Sequence, residues 1–335
     1  RLLRELDQLK SMGITNVRLM ASSEGPDETT TGRMFPAMQN APGIYNNELL
    51  EALDFILVEL AKREMYAVLC LNNFWPWSGG MAQYYTWSKK KSIPYPPVTG
   101  NNEWSTYMEF TSKFYSNWKA KRYFRKHLKV IINRTNSISG KAYKDDPTIM
   151  AWELCNEPRG MDKPQAYRRW IRKTAGLIKK WDSKHLITIG SEGNTAAPNG
   201  NLFDKDHKFK NIDYTTIHIW AQNWDWFDPS APDSTFESAI VQVKQYLQAH
   251  IDLAKQLGKP IVLEEFGIAR DQDNHDPNAA TYWRDQYYDI VFELIYQSSK
   301  SGSPMAGSNF WAWSGEGRPA MPKAIWQKGD DLTGD

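Results

Sequence analysis

Ile149-Met150-Ala151-Trp152-Glu153-Leu154-Cys155 runs without a break into Asn156-Glu157-Pro158-Arg159. The apolar run reads as a strand buried on both faces, the kind found in parallel sheets. It leaves a carboxylate, Glu157, at the strand's C-terminal end. Far downstream the pattern recurs: Pro260-Ile261-Val262-Leu263 runs into Glu264-Glu265-Phe266-Gly267. Barrels of parallel strands build their sites at such ends.

The rest of the chain supports this reading. Leu2, Leu3, Leu6, Leu9 and Met12 recur at helical spacing and Gly13 stops the helix. A strand is expected over Ile14–Met20, a helix over 46–64 and a strand over Tyr66–Leu71. An irregular stretch from Asn72 to about Asn102 follows, holding Trp75, Trp77, Gly79, Gly80, Tyr84, Tyr85 and Trp87. Such long aperiodic loops are usually functional. Helical patterns follow near 103–135 and 164–182. A strand at Leu186–Gly190 leads into an irregular polar segment. Then come a strand at Tyr214–Trp220, a helix at 235–257, a strand at 260–265, a helix near 279–300 and a last strand at Ser308–Trp313.

Seven continuous apolar strands alternating with helices mean a parallel sheet covered on both faces. No Gly-rich phosphate turn follows any strand, which speaks against a doubly wound nucleotide fold. The fold class is therefore α/β, a (β/α)8 TIM barrel. The 335 residues suit one catalytic domain, 1–335. The chain opens on a helix that would follow strand one and stops soon after strand eight. Strand one and the last helix are thus expected to be missing, with the domain truncated at both ends.

With 41 basic and 39 acidic residues, the net charge of +2 points to neither nucleic acid nor an anionic membrane as partner. No apolar run is long enough to suggest a membrane span. The chain has 15 Trp and 16 Tyr, many of them in polar or Gly/Pro-rich segments, where they suit stacking on sugar rings; the others fill a core. Cys70 and Cys155 read as buried small hydrophobes, and a disulfide needs their strands to be neighbours. No paired histidines, CxxC or HExxH occur, so no metal or cofactor is expected. GxSxG is absent.

Two carboxylates at strand ends are the equipment of a retaining glycosidase. Glu157 is the candidate acid/base and Glu265 the candidate nucleophile. Glu264 is the rival, because alternation along a strand lets only one of the two point into the barrel mouth. Arg18, at its own strand end, is placed to keep the nucleophile ionised or to form an ordinary salt bridge. Asn156 suits a sugar 2-hydroxyl. His218 suits a carboxylate or a sugar hydroxyl, the alternative being a core histidine. Trp311 suits the floor of the subsite at the cleaved bond, with core packing as the alternative.

Together these residues resemble glycoside hydrolase family 5, within the clan of (β/α)8 retaining glycosidases. The resemblance spans the chain from Val17-Arg18 to Trp311, and its motifs stand in order: Arg18, Asn156-Glu157-Pro158, His218, Glu265-Phe266-Gly267 and Trp311. It implies Glu157 as acid/base, Glu265 as nucleophile and a structural Glu264. Finer features resemble the β-mannanase branch. Asn72-Asn73-Phe74-Trp75 with Gly79-Gly80 is similar to its strand-three loop, with Trp75 as a sugar platform. Arg159 and Glu192 (in Ser191-Glu192-Gly193) resemble its aglycone contacts, and Trp224 matches an aromatic of the branch.

Two positions depart from the family pattern. Trp220 stands where a Tyr commonly hydrogen-bonds the nucleophile, and an indole N–H donates but cannot accept. Asn72 and Asn73 stand where many members carry a His. The resemblance implies an endo-acting, retaining β-1,4-mannanase, a monomer without cofactor, secreted because polymeric mannan cannot enter cells. The alternatives are a β-1,4-glucanase, since the two hexoses differ only at the 2-hydroxyl, and a catalytically silent carbohydrate-binding barrel. Retention sets the two carboxyls roughly 5–5.5 Å apart.

Overall fold

Leu6 and Leu9 are the buried side of α1 (Leu2–Ser11), and Gly13, at φ +84°, turns the chain into β1 (Asn16–Met20). In this computed structural model the described residues are 1–26, 32–97, 99–195, 199–274, 276, 278–313, 315–318 and 320. They form two compact units, 2–191 with 199–213 and 192–195 with 214–320.

In the first unit, a short hairpin of β2 (Gln39–Ala41) and β3 (Ile44–Tyr45) precedes α2 (Asn47–Lys62), which Asn46 caps by accepting from Glu48 N–H. β4 (Tyr66–Cys70), α3 (Gly80–Lys89), α4 (Trp104–Ser112), α5 (Trp118–Ile132), β5 (Ile149–Glu153), α6 (Pro164–Trp181), β6 (Leu186–Thr188) and α7 (Phe203–His207) follow. The sheet order is β1-β4-β5-β6, all parallel, with Leu69 opposite Trp152 and Trp152 opposite Ile187. Leu69, Ala151, Trp152 and Ile187 are fully buried, as strands covered on both faces require.

The second unit runs β7 (Thr215–Ile219), α8 (Pro232–Leu257), β8 (Ile261–Phe266), α9 (Tyr282–Lys300) and β9 (Met305–Ser308). Its sheet is β7-β8-β9, also parallel.

Seven strands of the two parallel sheets thus answer to the seven expected from sequence. Four differences have physical reasons. The last strand is Met305–Ser308, upstream of the aromatic run expected to form it; beyond Ser308 the described residues keep bonds to β8 from Asn309 N–H to Leu263 O and from Trp311 N–H to Phe266 O, both at 2.9 Å. The aperiodic stretch contains α3, whose first six residues are all buried, so no polar stripe marks it. The helical region at 103–135 breaks at Asn117, which caps α5 by accepting from Ala120 N–H at 2.9 Å. The β2–β3 hairpin is too short to display alternation.

Cys70 and Cys155 are buried free thiols. Residues 2–11 are helical, not a closing strand. The expectation for 321–335 lies outside the described residues. Among the described residues no helix is long and apolar enough to cross a membrane.

Candidate active site

β5 delivers Glu153 into the interior with none of its side chain exposed. β1 sends Arg18 to meet it: Nε donates to Oε2 and Nη2 to Oε1, both at 2.6 Å. This two-pronged, charge-assisted pairing is the strong form of the interaction. The same Nη2 donates to Asn156 Oδ1 at 2.8 Å. Arg18, expected beside the nucleophile or in an ordinary salt bridge, pairs with a carboxylate that sequence reading did not single out, and it orients Asn156. With its oxygen held by Arg18, Asn156 donates through Nδ2 to Asn73 Oδ1 at 3.2 Å.

Glu157 follows with φ +48°, a left-handed conformation costly for a side-chain-bearing residue, of order 1–3 kcal/mol. Neighbouring bonds hold it there. Its N–H donates to Gly190 O at 2.8 Å, and Asn201 Nδ2 donates to Pro158 O at 2.9 Å. Gly190 is itself required, because a Cβ there would sit 2.1 Å from Cys155 O and 2.2 Å from Glu153 Oε1. The Glu157 carboxylate accepts the indole N–H of Trp75.

The loop that aims Trp75 is organised by the two asparagines that depart from the family pattern. Asn73 Oδ1 accepts Trp75 N–H at 3.0 Å and its Nδ2 donates to Ser78 Oγ at 2.9 Å. Asn72 O accepts Asn156 N–H at 2.9 Å, and Phe74 N–H donates to Asn156 O at 3.1 Å. Gly80, at φ +55°, lies so near this loop that a Cβ would come within 2.0 Å of Asn73 O. The Arg159 guanidinium lies 4.8 Å from the Trp75 ring centroid, a cation–π contact. Trp75, expected as a sugar platform, therefore has its N–H on Glu157 and a face under Arg159.

In the second unit, the register between β7 and β8 shifts: Ile217 lies opposite Leu263 but His218 opposite Glu265, stepping over Glu264. Strict alternation had allowed one of the two glutamates to face the site. The shift brings both to one imidazole, with His218 Nδ1 at 3.4 Å from Glu265 Oε2 and Nε2 at 3.6 Å from Glu264 Oε2. All three residues are buried. His218 N–H donates to Glu192 O at 3.1 Å, and Tyr246 Oη donates to the same oxygen at 2.5 Å. This places Glu192 beside the histidine through its backbone.

Trp220 meets Trp311 edge to face, centroids 6.1 Å apart, and Trp224 packs on Trp226 and Tyr246. Trp311 keeps 39% of its surface exposed. The glycine of Glu265-Phe266-Gly267 has a local reason: a Cβ at Gly267 would lie 2.6 Å from Trp311 O.

Sequence reasoning missed Glu153, Tyr246 and Glu24. Glu24 is wholly buried, accepting from Gly80 N–H at 3.0 Å and from Tyr84 Oη at 2.8 Å. Burial raises its pKa to about 7, against the lowering by its Tyr84 and Gly80 hydrogen bonds and the Arg33 charge. The available signal was an acidic residue shortly after the strand that ends at Met20, in Ser22-Ser23-Glu24-Gly25.

A family model described as GH family 5 beta-mannosidase-like matches residues 1–335. Mannan endo-1,4-beta-mannosidase 4 of Solanum lycopersicum is 32% identical over 292 residues, 84% of this chain and 67% of that protein. The crystal structure of a glycoside hydrolase family 5 mannosidase from Rhizomucor miehei is 37% identical, with a TM-score of 0.89 over 99% of this chain and 80% of that one. A variant of that enzyme in complex with mannosyl-fructose gives 37% and 0.90 over the same shares. The fold class is accordingly the (β/α)8 barrel, and the chain belongs to glycoside hydrolase family 5, in its β-mannosidase-like group.

Proposed function

We propose that this chain hydrolyses β-1,4-mannosidic bonds of mannan, galactomannan or glucomannan, acting within the polymer and with net retention. The observation that carries the reading is the left-handed Glu157 just beyond β5, its carboxylate held by Trp75, in a family 5 chain that also carries Glu265 in the last stretch of β8 that pairs with β7. Glu265 attacks the anomeric carbon as Glu157 gives its proton to the departing glycosidic oxygen. The resulting glycosyl-enzyme is opened by water, whose proton Glu157 takes back, and the sugar leaves with its original configuration.

Asn156, oriented by Arg18, takes the sugar 2-hydroxyl. Arg159, Glu192 and Trp224 serve the leaving-group side, and Trp220 and Trp311 line the subsite of the cleaved bond. His218 stands against the nucleophile. The reading needs no cofactor, a single copy of the chain and an extracellular place of work.

The mannosidase names of the family model and of the 37% identical structure favour a second reading, release of single mannose units from chain ends. One experiment tests both. Reducing-sugar release and viscosity are followed on galactomannan beside a soluble β-1,4-glucan, with anomers read by NMR. A fast viscosity drop with β-anomer formed first supports the endo-mannanase. Mannose release at constant viscosity supports the exo-acting enzyme, release from glucan alone overturns the substrate, and α-anomer formed first overturns double displacement.

A further inference from the structure

Trp104 opens α4 and leaves 45% of its surface to solvent. Single exposed aromatics need no explanation. Trp118 and Tyr282 are more exposed still, at 69% and 62%. Trp104 differs in what it touches. Its ring stands 5.7 Å from that of Trp75 at 80°, and Trp75 donates to Glu157. Four residues on, and so on the same face of the helix, Met108 accepts through its sulfur from Arg159 Nη1 at 3.3 Å. α4 thus presents an open indole and a thioether to the Trp75–Arg159 pair.

The acid/base protonates the departing oxygen, so the residue bonded to it borders the leaving group. Trp75 has its N–H and one face committed, and it packs with Met108 against the buried cluster of Ala82, Tyr85, Tyr107 and Phe110. The open aromatic surface next along the chain of contacts from Glu157 is that of Trp104. An indole with a guanidinium close by suits a neutral pyranose, the ring taking the C–H face and the guanidinium its hydroxyls.

We infer that Trp104, with Met108 and Arg159, forms a distal subsite for a β-1,4-linked hexose on the leaving-group side, beyond the unit that Trp75 borders. The inference rests on the glycosidase reading above. A subsite of this kind favours long substrates over short ones and leaves the chemical step alone.

The test compares kcat/KM on mannohexaose with kcat/KM on mannotriose for the native chain, Trp104→Ala and Trp104→Phe, with cellohexaose and cellotriose in parallel. Loss of one stacking contact is expected to lower the hexaose-to-triose ratio about tenfold in Trp104→Ala, with Trp104→Phe keeping most of it. An unchanged ratio overturns the subsite. So does an equal fall on both lengths, which makes Trp104 a support of Trp75 instead. If the native chain cleaves only the cello series, the mannan reading fails while the ratio on that series still decides the subsite. If it cleaves neither, both fail.

Discussion

Glu24→Gln is the perturbation with the clearest sign. Glu24 is wholly buried with its pKa raised from 4.5 to about 7, chiefly by desolvation. The unfolded chain gives up this proton as pH passes 4.5, and the folded one keeps it until about 7. Folding therefore takes up a proton in that window. The stability tied to Glu24 is fully present below pH 4.5 and is lost as pH rises through about 7, an effect of about 3 kcal/mol. Glutamine has the shape of the protonated carboxyl: its oxygen accepts Gly80 N–H, and its amide donates to the Tyr84 hydroxyl, which accepts as readily as it donates. The variant should match the native chain at pH 4.5 and exceed it by about 3 kcal/mol at pH 8.

Urea unfolding followed by tryptophan fluorescence at the two pH values reads this as a midpoint shift present only at pH 8. Every other titration is common to both proteins and cancels in the comparison. A Glu24→Gln variant that is weaker than the native chain at pH 8 refutes the reasoning. It would mean that Gly80, Tyr84 and Arg33 hold an ionised carboxylate after all.

Glu157→Ala should lose about 10²–10⁴ in kcat and recover with azide as the β-mannosyl azide. Glu265→Ala should yield the α-azide, and the reverse pairing of products would exchange the two roles. Trp75→Phe keeps a ring under Arg159 but removes the N–H given to Glu157. A hydrogen bond to a charged group contributes about 1.5–3 kcal/mol, so kcat/KM should fall about 10–100-fold; an unchanged value makes that bond idle. His250, its pKa lowered to about 4 by burial, accepts Asn194 N–H at Nε2 and faces Tyr246 O through Nδ1. It contributes stability above pH 6.5 that is lost as pH falls through 4, by about 3 kcal/mol, so His250→Gln should flatten the acid side of a melting profile. An acid side as steep as the native one would place that loss elsewhere.

How much of this was legible depends on how far apart in sequence the causes lie. A buried parallel strand announces itself locally, by an unbroken apolar run, and so do carboxylates at its end, although the choice of Glu265 over Glu264 came only with the resemblance to the family. The neighbours that decide how those carboxylates are held are remote. Arg18 is 135 residues from Glu153, Trp75 is 82 from Glu157 and Glu24 is 60 from Tyr84. No periodicity encodes such pairs. The register shift that presents Glu264 to His218 is likewise a property of two paired strands and not of either alone.

Asn72 and Asn73 show why a departure from a family pattern is hard to weigh before a structure exists. Read as missing histidines, they weaken the site. In place, Asn73 binds three partners at once, the Trp75 amide, the Ser78 hydroxyl and the Asn156 amide, while the Asn72 carbonyl takes the Asn156 N–H. A neutral imidazole offers one donor and one acceptor and cannot reproduce that set. The asparagines thus tie the β4 loop to the turn that carries Glu157. Asn73 also holds the backbone N–H of Trp75, whose indole N–H reaches the Glu157 carboxylate.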